Sequence, residues 1–138
     1  MASFACLPLS LAMAALVYSS RPPIWTGPPT CYSRVLQMAE EITQLVADVK
    51  ADPETSSCTA HIPSLYVDVH NACIMDTIRG HMVMIGLLHE RHCSSNQRVR
   101  HLRVKMRQFY IIMSQKCHGD LVFTSDDCAA LEQGAQRP

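Results

Sequence analysis

The chain has 138 residues, 48% of them apolar, and 12 basic side chains balance 12 acidic ones to a formal net charge of zero. That size predicts a single domain with a modest core. The balance describes the chain only as a whole: no Asp or Glu lies between Arg91 and Gly119, where Arg91, Arg98, Arg100, Arg103, Lys105, Arg107 and Lys116 fall.

The N-terminus settles what cysteine is expected to do. Residues 1–19 carry no charged side chain and hold an apolar run from Phe4 to Tyr18, too short to span a bilayer comfortably. Val17 and Ser19 stand at workable positions for a signal peptidase, and Arg21-Pro22-Pro23 follows. The pattern predicts a secretory signal over residues 1–20, removed near Ser19 or Ser20. A signal anchor is the alternative, because no Lys or Arg precedes the run. No later stretch is apolar enough for a membrane span, so a secreted chain in the extracellular space is expected, without membrane insertion after cleavage and with nucleic acid an improbable partner.

Cleavage discards Cys6 and leaves Cys31, Cys58, Cys73, Cys93, Cys117 and Cys128. An even number of cysteines in a short secreted chain predicts disulfides. With no CxxC pair, a zinc ribbon or a thioredoxin-type motif has no support. The segment His89-Glu90-Arg91-His92-Cys93 invites a metal reading, but full pairing removes Cys93 as a ligand. His89 and His92 then read as solvated side chains near a helix end, and neither a metal nor any other cofactor is expected.

In chain order, RPPIWTGPP suits an extended arm over residues 21–30. Val35, Met38, Ile42, Leu45 and Val49 then recur at three and four residues, predicting an amphipathic helix from Cys31 to Lys50 capped by Thr30. ADPETSS breaks it and leads to Cys58. Pro63-Ser64 is read as opening a second helix, with Val67, Asn71, Ile74 and Ile78 on one face and Leu65, Val69 and Cys73 beside them; Gly80 and Gly86 leave its end open. A third helix follows CSSNQ, with Leu102, Met106, Phe109, Met113 and Cys117 on one stripe, and stops near His118-Gly119. Ser125-Asp126-Asp127 caps a short helix through CAALE, and residues 134–138 form a loose tail. The expectation is an all-α, disulfide-linked bundle of four helices over residues 31–133.

If consecutive helices alternate up and down, the ends that meet pair Cys31 with Cys93, Cys58 with Cys117, and Cys73 with Cys128, one of fifteen connectivities. On the third helix, Arg100, Arg103 and Arg107 are expected opposite the Leu102–Phe109 stripe. With Lys105 they form a candidate cationic face for a receptor or a sulfated glycosaminoglycan such as heparan sulfate, and an ordinary solvated face is the plain alternative.

Catalysis has little support. GxSxG, HExxH, a phosphate-cradling glycine loop and an EF-hand are all missing from the sequence, and Asp68 and His70 stand two apart on the expected helix, facing different ways. Tyr66 and Tyr110 read as core or rim aromatics, and Met38, Met106 and Met113 as core filler.

The strings PPTCYSR (28–34), EIT (41–43), LYVDVHNACIMDTIR (65–79), FYIIMSQKC (109–117) and DLVFTSDDCAALE (120–132) resemble the vertebrate cytokine-like protein 1 family. The resemblance covers most of the mature chain and is weakest from Gly80 to Val104. It implies a secreted signalling factor linked to cartilage formation and progenitor cells, acting on a cell-surface receptor; that no enzyme is expected follows from the missing catalytic motifs. A chemokine-like fold is the family's alternative; the helical periodicities here favour the bundle. The resemblance carries no established binding residue onto this chain.

Overall fold

The computed structural model describes residues 30–117 and 123–137; the expected signal and the arm before Thr30 lie outside the described residues. Among the described residues there are six helices: α1 (Cys31–Ala51), α2 (Ser56–Thr59), α3 (Ile74–Gly86), α4 (Arg91–Ser94), α5 (Gln97–Ile111), which runs on as a π-helical turn over Ile112–Lys116, and α6 (Cys128–Gln136). Among the described residues there is no strand, only an isolated bridge between Asn71 and Ser125. The all-α, disulfide-linked bundle is the architecture found.

Three of these helices start where a side chain can satisfy free backbone amides. The Thr30 hydroxyl accepts from the Ser33 amide, Asn96 from Arg98 and Val99, and Asp127 from Ala129 and Ala130. At the other end of α1 the chain leaves the helix without orphaning its carbonyls. The Thr55 and Thr59 hydroxyls donate to the Val49 carbonyl at 2.6 and 3.2 Å, and both threonines are buried.

The core is one layer of aliphatic side chains between α1, α3 and α5. Val35, Ile42, Val46 and Val49 come from α1, Ile74, Ile78 and Ile85 from α3, and Val99, Leu102, Met106 and Phe109 from α5. Phe109 is fully buried and is the largest of them. Each helix buries residues spaced by three, four or seven, so a single stripe per helix closes the core.

Between α2 and α3 the structure corrects the expected second helix. Residues 63–73 are not helical; α3 begins only at Ile74. Leu65, Val67, Val69 and Asn71 are buried, while Tyr66, Asp68 and His70 between them are more exposed. That is the period of two of an extended chain. The segment runs back along α1: Lys50 donates its ammonium to the Ile62 carbonyl, the Val67 amide donates to Thr43 Oγ1 at 3.3 Å, and Tyr32 Oη lies 3.0 Å from His70 Nε2.

An extended return in place of a helix reverses the sense of everything after it. The chain goes up α1, down the extended segment, up α3 and down α5, so α1 and α5 are antiparallel. Their opposite ends meet, and the bridges are Cys31–Cys117 and Cys58–Cys93, with Cα atoms 5.5 and 6.6 Å apart. The expected pairs Cys31–Cys93 and Cys58–Cys117 assumed α1 and α5 parallel and are not formed. The third bridge is Cys73–Cys128, as expected.

That third bridge anchors α6, which lies across the extended segment. Leu131 is its one buried residue, and Asn71 Nδ2 donates to the Asp127 carbonyl at 2.7 Å beside the bridge. The helix continues through Gly134 to Gln136, where a loose tail was expected. A Cβ at Gly134 would sit 2.5 Å from Cδ1 of the exposed Tyr66 ring, so a larger residue there would displace that ring.

The Cys31–Cys117 bridge closes a loop of 86 residues. By loop-closure entropy, replacing both cysteines by serine lowers the unfolding free energy by about 4 to 5 kcal/mol, much of the stability of a domain this size. Guanidinium unfolding of the double variant, with the other bridges oxidised, checks this; a loss under about 1 kcal/mol contradicts it.

Candidate functional site

Helix α5 carries the basic segment, and its geometry divides the four candidate cations. With Val99, Leu102, Met106 and Phe109 turned inward, the 100° step per residue places Arg103 and Tyr110 on the flank toward α3 and Arg98 and Lys105 on the flank toward α1. Arg100, Val104, Arg107 and Ile111 face outward.

The flanking cations are engaged within the fold. Arg103 donates from Nη2 to the Ile85 carbonyl at 3.1 Å, near the C-terminal end of α3, and its Nε is buried. A cation at the end of a helix also suits the negative pole of its dipole. Lys105 Nζ stands 2.5 Å from Glu41 Oε2 on α1, and Arg98 Nη1 stands 3.2 Å from Asp52 Oδ2. Arg103 and Lys105, expected on a free face, therefore help to hold α5 to its neighbours. Arg100 and Arg107 are exposed, and no carboxylate among the described residues forms an ion pair with either.

The Lys105 ammonium holds the Glu41 carboxyl below its ordinary value. Its hydrogen bond is the largest cause; partial burial works the other way, and Coulomb attraction to Lys105, the Gln37 amide and His101 assist the lowering.

The outward surface also holds apolar side chains that sequence reasoning missed. Val83 and Leu87 on α3 are 57% and 59% exposed, and Val104 on α5 is 54% exposed, the most open large aliphatics described. A count of apolar positions in HMVMIGLL gives the signal: it has more than one helix face can bury.

The histidine-rich segment does not make a metal centre. Ligand atoms of Cys58, His92 and Cys93 lie within 4.8 Å of one another, but the two sulfurs are bonded to each other and offer no thiolate. His92 Nε2 meets Glu90 Oε2 at 3.2 Å, and His89 is exposed. Asp68 and His70 form no dyad either. The Asp68 carboxylate accepts from the His70 backbone amide at 3.0 Å, while the ring turns to Tyr32.

Two clefts flank α6, of about 620 and 290 Å³. Tyr66 stands between them and borders both. The smaller is bordered by Ser64 and His81, but the two ring nitrogens of His81 face the Thr77 and Pro63 carbonyls at 2.9 and 3.1 Å rather than a hydroxyl.

The fold defines a small, disulfide-linked helical domain with exposed helix surfaces. The chain belongs to the family described as Cytokine-like protein 1, which matches residues 2–138. It is 36% identical to human Cytokine-like protein 1 over 126 residues, 91% of this chain and 85% of that protein. No solved structure matches it.

A lowered carboxyl value in the fold stabilises above the ordinary carboxylate range, and that contribution is lost as pH falls through the folded-state value. The pair is partly solvated, so the effect is at most about 1 kcal/mol. Glu41→Gln is expected to destabilise the domain at pH 7 and to match the parent near pH 3 in urea unfolding. An equal loss at both pH values contradicts the role of the ionised pair.

Proposed function

We propose that this protein is a secreted signalling ligand that binds a cell-surface receptor, in the setting of cartilage formation and progenitor cells that its family implies. The observation that carries the proposal is membership of the cytokine-like family across residues 2–138. A closed helical core stabilised by three bridges suits an extracellular factor, and none of the helices is long and apolar enough to cross a membrane among the described residues. The protein acts by burying a helix surface against its receptor, with exposed arginines speeding encounter, and it is not an enzyme.

A second reading is binding to heparan sulfate or a related glycosaminoglycan through Arg100, Arg103, Lys105 and Arg107. Arg100 and Arg107, exposed and in no ion pair among the described residues, support it. The engagement of Arg103 with Ile85 and of Lys105 with Glu41 leaves it fewer free cations than the sequence suggests.

Labelled mature protein applied to chondroprogenitor cells, before and after enzymatic removal of heparan and chondroitin sulfates, separates the two. Saturable binding that survives the digestion is expected. Binding that disappears assigns the partner to the matrix and contradicts direct receptor recognition.

A further inference from the structure

We infer that the outer face of the α3–α5 pair, built from Val83, Leu87, Val104, Arg100 and Arg107, is the surface that docks a protein partner with an acidic rim around an apolar centre. The inference rests on the receptor reading above and names where and what that receptor contacts.

Two cross-contacts fix how the helices lie. The Arg79 guanidinium stands 6.0 Å from the centre of the Tyr110 ring, and Arg103 reaches the Ile85 carbonyl. In this antiparallel register Val83 is level with the turn that holds Met106 and Arg107, and Leu87 with the turn at Leu102. Arg107 thus lies across the seam from Val83, Arg100 lies just beyond the level of Leu87, and Val104 stands between the two arginines on α5. Three aliphatics more than half exposed on one helix pair exceed the scattered single residues of an ordinary surface.

Gly86 keeps the α5 side of α3 low beside Val83 and Leu87: a Cβ there would meet nothing within 4 Å among the described residues.

The charge pattern selects the partner. No acid lies between Arg91 and Gly119, and the nearby acid on α3, Asp76, is paired with Arg79 at 3.1 Å. The face therefore attracts carboxylates. A sulfated polysaccharide would gain nothing from three aliphatic side chains, and two arginines two helical turns apart are a sparse site for it. A protein surface gains from both, by burying the aliphatics at the centre and meeting the arginines at the edge.

The test uses the full mature protein on chondroprogenitor cells stripped of glycosaminoglycans, with a heparin column and sedimentation as parallel readouts. Val83→Ser, Leu87→Ser and Val104→Ser together are expected to weaken cell binding at least about tenfold while heparin elution stays unchanged. Arg100→Glu with Arg107→Glu is expected to slow association and reduce its dependence on salt. All five positions are solvent-facing, and circular dichroism verifies each fold. If the parent binds the stripped cells and both variants bind equally well, this face is overturned while the receptor reading stands. If the parent itself fails to bind stripped cells, both fall. A parent that sediments as a dimer, and a serine variant that sediments as a monomer, would assign the face to a second copy and overturn the receptor contact.

Discussion

The antiparallel pairing of α1 with α5, bridged at both ends, is the constraint on which the remaining structure depends. Cys31–Cys117 joins the start of α1 to the end of the π-helical turn after α5, and Cys58–Cys93 joins the turn after α1 to the short helix before α5. Between them run Glu41–Lys105 and Asp52–Arg98. These contacts fix the register as well as the direction. Half-exposed ion pairs add little stability, so hydrophobic burial of Ile42, Val46, Met106 and Phe109 supplies the cohesion and the bridges limit the unfolded chain.

With that pair fixed, α3 has one place to go. It fills the side of the core left open by α1 and α5, and Arg103 holds its C-terminal end. The segment 63–73 covers the far side of α1 as an extended chain whose alternate side chains enter the core, and α6 lies over it through Leu131 and the Gly134–Tyr66 contact. One side of the molecule is therefore covered by α6. On the α3–α5 side Val83, Leu87 and Val104 are more than half exposed, and there Arg100 and Arg107 form no ion pair among the described residues.

Much of this was legible in the sequence. The intervals of three and four in α1 and α5, and the caps Thr30 and Asp127, follow from side-chain chemistry that acts within one or two turns. The stretch from Leu65 to Asn71 was misread because seven residues are too few to separate a period of two from a helical one. Val67 and Val69 are β-branched and favour an extended chain, but the downstream helix from Ile74 extends an apparent helical pattern backward. That single misreading reversed the direction of α5 and with it two of the three bridges. The candidate site was half legible: Arg100 and Arg107 face solvent as their positions imply. Arg103 and Lys105 depend on where α3 and α1 lie, which periodicity within α5 does not encode. Val83 and Leu87 lie inside the apolar run HMVMIGLL, whose composition alone does not say which residues face solvent.

The direction of α5 against α1 decides the bridge pattern, the roles of Arg103 and Lys105, and the exposure of the α3–α5 face. Nuclear Overhauser contacts measured on the isotopically labelled, oxidised protein test it directly. Antiparallel packing predicts contacts between the first turn of α1 and the residues around Met113, and between the last turn of α1 and the first turn of α5. Contacts joining the first turn of α1 to the first turn of α5 would contradict the fold and the face derived from it.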